Sequence, residues 1–375
     1  MKKNLLIGLM LIMSVQGFSA EKTTYKVMKK SPQTANVFSP MTNEWDKVFP
    51  KDSRVNHKKV TFTNRYGITL AADVYEPKNL GNKKVAALAV AGPFGGVKEQ
   101  SSGRYAQEMA ARGYITVAFD PSYNGESGGE PRNVASPEIY TEDFMAAVDF
   151  LGLQKNVDRE RIGIIGVCGF GGFGLNAAAA DTRVKAIATI SMYDMSREMG
   201  EGFGKILTTE DRKLIYKRMG EQRWKDAENG SPWLMHPVAT VDKNKNLILS
   251  ETMPDTLPKN SDPVLADFFE FYRTTRGYHP RSTASNSAFT FTSATAFMNF
   301  PMNNYIHEIS PRPILFVIGE NAHSRYFSED AYRLAGNNPN NEMYVVANAT
   351  HPDLYDKMDK IPFNKLQDFF TKNLK

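Results

Sequence analysis

The stretch R161-I-G-I-I-G-V-C-G-F-G-G172 decides how the chain is read. Ile162 to Gly166 is a short apolar run bounded by glycine, the pattern of a strand buried in a parallel sheet. Val167, Cys168 and a run of glycines around Phe170 follow, and Leu175 to Ala180 is alanine-rich and helix-forming. A strand, a sharp glycine-rich turn and a helix, with a nucleophilic side chain at the turn, describe a nucleophile elbow. Glycine is needed there because a Cβ obstructs both the strained backbone and the close approach of helix to strand. Cys168 is therefore the candidate nucleophile. The pattern asks for glycine two places later, where this chain has Phe170, so a rival register puts Phe170 itself at the turn. Strand spacing favours Cys168, which stands two residues beyond the glycine that closes the apolar run. A buried structural cysteine is the plain alternative.

On either side, apolar runs alternate with helical stretches. Lys59 to Thr63 and Ile68 to Tyr75 read as strands around a turn at Asn64 to Gly67, and Val85 to Ala91 as a buried strand. Helix Ser102–Arg112, strand Tyr114–Phe119, helix Pro137–Leu151 and, after Cys168, strand Val184–Ile190 complete a first half. Strand Pro313–Ile318, helix Glu329–Ala335 capped by Ser328, strand Met343–Val346 and helix Ile361–Leu374 form the second. This rhythm implies a mainly parallel sheet with helices on both faces. Residues 57–192 and 302–375 make that core, and 193–301, which lacks the alternation, reads as an inserted, mostly helical cap. Its aromatics, Phe268, Phe269, Phe271, Tyr272, Phe289, Phe291, Phe297 and Phe300, are expected mostly to form the cap's own core.

The amino terminus reads as an export signal. Met1-Lys2-Lys3 precedes an apolar run from Leu5 to Val15, with small residues at Gly17 and Ser19, so residues 1–20 are expected to be removed and the protein to be periplasmic or secreted. Residues 21–56 read as a polar arm. No later apolar run has the length of a membrane helix, so no stable membrane insertion is expected. One cysteine excludes an internal disulfide, and 375 residues suffice for a core without one. Net charge is +5, of which Lys2 and Lys3 carry two, and no basic cluster interleaved with aromatics occurs; nucleic acid is not an expected partner.

The order of sheet, turn with nucleophile, insertion, two strands and final helix is that of an α/β-hydrolase, whose triad runs nucleophile, acid, histidine. His351, in ANATHPDLYD after the last strand, occupies the histidine slot. His57 precedes the sheet, His236 and His279 fall in the cap, and His307 lies before the penultimate strand. The acid ordinarily sits three residues past the glycine closing that strand, where this chain has Ala322 in Gly319-Glu320-Asn321-Ala322. Glu320 is the first choice and Asp194, after strand Val184–Ile190, the second, while Asp330 suits a helix N-terminus. The oxyanion hole is expected from the backbone N–H groups of Gly169 and of Phe94, since Pro93 has none. The helix N-terminus and His351 are expected to assist ionisation of the thiol.

The chain resembles the bacterial dienelactone-hydrolase-like α/β-hydrolases with a C-G-aromatic-G-G elbow and, more distantly, X-prolyl-peptidase-like hydrolases. The strings that carry the resemblance are AGPFGGVKEQSSGRYAQ, AFDPSYNGESGGEPRN, IGVCGFGG, SMYDMSR, GENAHSRYFSEDAY and THPDLYD, and they span most of Lys59 to Lys375. The resemblance implies the α/β-hydrolase fold, hydrolase chemistry and no metal or other cofactor, and supports Cys168 and His351 by position; the substrate does not carry over, and an ester or lactone is expected because nothing in the sequence marks a site for an amide leaving group. His323, in AHSRYF, either lines the site or leads into the following helix. A non-catalytic binding protein on the same fold, with Ala322 as its argument, or an acyltransferase or peptidase of that fold, is the alternative.

Overall fold

The computed structural model describes residues 25–30, 44–236, 238–249 and 252–375. The segment read as an export signal, residues 1–20, lies outside the described residues, as does much of the arm.

In chain order the elements are β1 Val55–Thr63, β2 Thr69–Pro77, β3 Val85–Ala91, α1 Ser101–Ala111, β4 Ile115–Phe119, α2 Pro137–Gly152, β5 Val157–Val167, α3 Gly169–Ala180 and β6 Val184–Ile190. There follow α4 Met195–Glu201, α5 Thr209–Asn229, a hairpin of β7 Ala239–Val241 and β8 Leu247–Leu249, α6 Pro263–Arg273, α7 Thr283–Asn286 and α8 Ala294–Met298. β9 Ile314–Gly319, α9 Arg325–Leu334, β10 Glu342–Val346, α10 Asp353–Asp356 and α11 Phe363–Asn373 close the chain. Eight strands form one sheet in the order β1-β2-β4-β3-β5-β6-β9-β10. β2 runs antiparallel to both β1 and β4, and the other neighbours are parallel. This is an α/β-hydrolase fold.

The central strands are apolar without alternation because helices cover both their faces. β4 and β9 are buried along their whole length, whereas edge strand β10 leaves Tyr344 and Val345 exposed. α2 begins where Ser136 accepts the N–H of Ile139 and Pro137 takes the first helical position. α3 is built of glycine and alanine because it lies hard against the sheet; a Cβ on Gly174 would come within 3.1 Å of Ile164 Cγ2. The described residues between β6 and β9 hold five helices, two 3₁₀ turns and the β7–β8 hairpin, which the expectation of a mostly helical segment did not contain.

One boundary differs from expectation in an instructive way. α9 starts at Arg325, not Glu329, so Ser328 lies inside it and Asp330 is mid-helix, paired with Arg197 and Lys205 at 2.8 and 3.1 Å. Ser324 stands at the N-cap position but caps nothing, because its hydroxyl is engaged elsewhere.

Candidate active site

Cys168 sits between β5 and α3 with φ 54° and ψ −123°. A non-glycine residue there is strained, and the surroundings enforce it. Its N–H donates to Ile190 O at 2.8 Å, and its own carbonyl accepts from Tyr193 at 2.9 Å and Gly171 at 2.9 Å. The end of β6 thus holds the turn from both sides. Phe170 already belongs to α3 and is buried among Phe119, Tyr140, Phe144 and Phe173, so the rival register does not describe the turn. A side chain is tolerated at 170 because the tight approaches fall on its neighbours. A Cβ on Gly171 would lie 2.5 Å from Met192 Cβ, and one on Gly172 2.5 Å from Tyr193 O.

The thiol of Cys168 is buried, and its sulfur is within hydrogen-bond reach of the Tyr355 hydroxyl and of the backbone N–H groups of Phe94 and Gly169. The two N–H groups named from the sequence are therefore brought to one atom. The Phe94 loop is held by α7 and its N-cap residue, where Gly95 O accepts from Ala284 N–H and from the Ser282 hydroxyl, each at 2.9 Å. Burial outweighs these donors and pushes the thiol up to about 11. The expectation of an assisted ionisation is corrected: the sulfur rests protonated, because the site is dry enough to penalise a thiolate.

His351 is also fully buried. Its Nε2 lies 2.8 Å from the Tyr355 hydroxyl and its Nδ1 2.5 Å from Ser324 Oγ. With Nε2 accepting from Tyr355, the hydrogen on Nδ1 is donated to Ser324. Burial, reinforced by His323, holds the imidazole well below its usual range, so it is neutral and able to accept a proton. His323 does line this region: its ring centroid is 5.0 Å from that of His351, and its Nε2 meets Tyr193 Oη at 2.5 Å.

Neither carboxylate chosen from the sequence reaches His351. Glu320 is exposed and accepts the N–H of Asn348 at 2.9 Å. It follows Gly319 directly, so it leaves β9 beside β10, where its own N–H donates to Val346 O. Asp194 N-caps α4 through Arg197 N–H at 3.1 Å and accepts Asn303 Nδ2 at 2.9 Å. Ser324 holds the place of an acid, and a hydroxyl orients a ring without adding negative charge.

Three groups escaped the sequence reading. Ser324 was hidden by the misplaced start of α9. Tyr355 is four residues after His351 in THPDLYD, a spacing that puts both on one side of a helical turn, so its signal was present. Glu198 was not legible: it is buried in α4, its Oε2 has no hydrogen-bond partner among the described residues, and when ionised its charge pushes the Cys168 thiol up. The residues between β6 and β9 also reach beyond their own packing. Phe268 packs at 5.4 Å from the His351 ring, and Phe289 at 4.2 Å from Phe94.

Glu198 carries a pH prediction. Burial alone raises its carboxyl from 4.5 to about 8. The folded state therefore binds this proton more tightly than the unfolded chain does. The stabilisation is complete below about 4.5 and is lost as pH rises through about 8, roughly 5 kcal/mol in total. Glu198→Gln, which cannot ionise, is expected to raise Tm over wild type at pH 9 and to change it little at pH 4.5. Calorimetry at the two pH values checks this; the same Tm difference at both would count against it.

The geometry can be set beside known proteins. Residues 66–229 match the family model for X-Pro dipeptidyl-peptidase (S15 family). The chain is 52% identical over 339 residues to "Uncharacterized protein PA2218" of Pseudomonas aeruginosa, covering 90% of this chain and 86% of the relative. It is 33% identical over 303 residues to "Uncharacterized protein YcjY" of Escherichia coli, covering 80% and 93%. A shorter match, 35% over 134 residues, joins it to "Thiohydrolase aneE" of Aspergillus aculeatus, over 36% of this chain and 41% of that one. The crystal structure of hypothetical protein PA2218 superposes with a TM-score of 0.83 at 53% identity, over 89% of this chain and 98% of that one. The α/β hydrolase GrgF from Penicillium superposes with a TM-score of 0.66 at 19% identity, over 85% and 99%, a likeness of fold.

Proposed function

Because the chain belongs to the α/β-hydrolase-fold family that includes PA2218 and YcjY, we propose that it is an exported acyl-transferring hydrolase with Cys168 as nucleophile. The substrate is an ester, lactone or thioester, the last suggested by the partial likeness to a thiohydrolase. The observation that carries this reading is the position of Cys168: a strained turn at the head of α3, with the N–H groups of Phe94 and Gly169 both within reach of the sulfur. The sulfur attacks the carbonyl carbon, and the developing oxyanion is taken by those two donors. The leaving group departs, a thioester to Cys168 remains, and water hydrolyses it. His351, neutral and oriented by Ser324, is the base in both halves.

The test is to mix the protein with p-nitrophenyl acetate, a lactone and an acyl thioester, quench within milliseconds and weigh the intact chain. A mass increase of one acyl group, mapped to Cys168, is expected with at least one of them. A second reading, a binding protein on this fold, is favoured by the missing carboxylate on His351. No acyl adduct with any substrate, together with unchanged substrate in solution, would select it.

A further inference from the structure

The hydroxyl of Tyr355 lies 2.8 Å from His351 Nε2 and close enough to the sulfur of Cys168 to interact with it. We propose that Tyr355 is a catalytic residue that carries the proton between the Cys168 thiol and the His351 imidazole. This rests on the reading of Cys168 as nucleophile.

As sulfur bonds to the carbonyl carbon, the thiol proton passes to the Tyr355 oxygen and the Tyr355 proton passes to His351 Nε2, leaving a neutral tyrosine and an imidazolium. When the carbon–oxygen bond to the leaving alkoxide breaks, the same path runs backwards and the alkoxide receives the proton. Water then attacks the thioester, giving its proton to Tyr355 as Tyr355 again protonates His351. Release of the acid returns that proton to the sulfur.

The surroundings suit a hydroxyl that relays protons without ionising. Burial and the neighbouring Cys168 hold the Tyr355 phenol well above its usual value, so it does not persist as a phenolate. The other ionisable groups facing the pair are Tyr272 of α6, Tyr193 just before α4, Glu198 within α4, and His323. The Tyr272 ring packs against that of Tyr355, with centroids 6.3 Å apart. The position of the hydroxyl is fixed from outside the site. Arg276 reaches across from the cap and joins both ends of α10, to Pro352 O at 2.8 Å and to Asp356 Oδ1 at 2.6 Å. Tyr105 Oη donates to Leu354 O at 2.7 Å between them. A relay needs donor and acceptor held within hydrogen-bond reach, which these contacts provide.

The experiment compares wild type with Tyr355→Phe, which keeps the ring and removes the oxygen. Two rates are measured, acylation by p-nitrophenyl acetate and alkylation of Cys168 by iodoacetamide, each from pH 6 to 10. Acylation is expected to fall by about 10²–10⁴-fold, as for loss of general acid–base assistance, with KM changed only a few-fold. Alkylation of wild type is expected to be nearly flat between pH 6 and 8.5, whereas the variant's rate climbs with pH throughout. In mixtures of light and heavy water, wild-type acylation is expected to show a curved dependence, the mark of two protons in motion. This measurement needs no variant and stands if Tyr355→Phe fails to fold. Acylation by Tyr355→Phe within three-fold of wild type, an acceleration, or a linear wild-type isotope dependence overturns the relay. An unacylated wild type whose alkylation keeps the flat profile supports the relay and instead sinks the hydrolase reading.

Discussion

Cys168→Ala is expected to reduce ester turnover by on the order of 10³–10⁶-fold, the range seen when a nucleophile is removed and binding groups remain. Phe94 and Gly169 would still present their N–H groups, so the residue should bind substrate with little change in affinity. Cys168→Ser is the more searching variant. Burial already pushes the thiol up to about 11, and a serine hydroxyl in the same place is far harder to deprotonate. His351 offers it a neutral ring supported only by the Ser324 hydroxyl, without the carboxylate that stabilises an imidazolium in serine triads. Serine is therefore expected to lose about 10²-fold or more. Steady-state rates with p-nitrophenyl acetate, on variants whose circular dichroism matches wild type, check both. Turnover above a tenth of wild type in Cys168→Ala would remove it as the nucleophile.

Gly166→Ala is expected to cost about 3 kcal/mol or more of stability. A Cβ there would fall 2.3 Å from the carbonyl oxygen of Phe170 and 2.7 Å from its carbon, and both are backbone atoms that no rotamer change can move. Relief requires the first turn of α3 to lift from β5, and Cys168 sits at that joint. Activity should fall with stability, because the sulfur and the Gly169 N–H move with the turn. Gly220→Ala is the contrast: it lies within α5 with nothing among the described residues inside 4 Å of an added Cβ, so it should gain up to about 1 kcal/mol from helix propensity. Urea unfolding of both variants decides. Equal midpoints for Gly166→Ala and wild type would show that the turn is looser than drawn.

What the sequence determined by itself was local. Val85–Ala91 and Val184–Ile190 are strands with the bounds read from the sequence, because a strand covered on both faces is largely apolar, Lys185 and Thr189 being the polar exceptions in the second. The turn at Cys168 was legible for a similar reason, since consecutive glycines are kept where a helix starts hard against a sheet. The position of His351 after β10 followed from chain order.

Only the tertiary structure decided what those side chains touch. Glu320 and Ser324 are four residues apart in one loop, yet the serine reaches His351 and the glutamate accepts from Asn348. Nothing in residue type favours that outcome; it depends on where the loop turns after Gly319. A sequence pattern that asks for a carboxylate does not reveal a hydroxyl put in its place. The Cys168 thiol rises and the His351 ring falls for a reason equally invisible in the string. Burial penalises whichever form is charged, and that burial is made by Phe268, Tyr272, Tyr193 and Tyr355, drawn from segments up to some 160 residues apart in the chain. Spacing along the chain can bring residues to one turn of helix or one end of a strand. The dielectric around a sulfur is set by everything that folds over it.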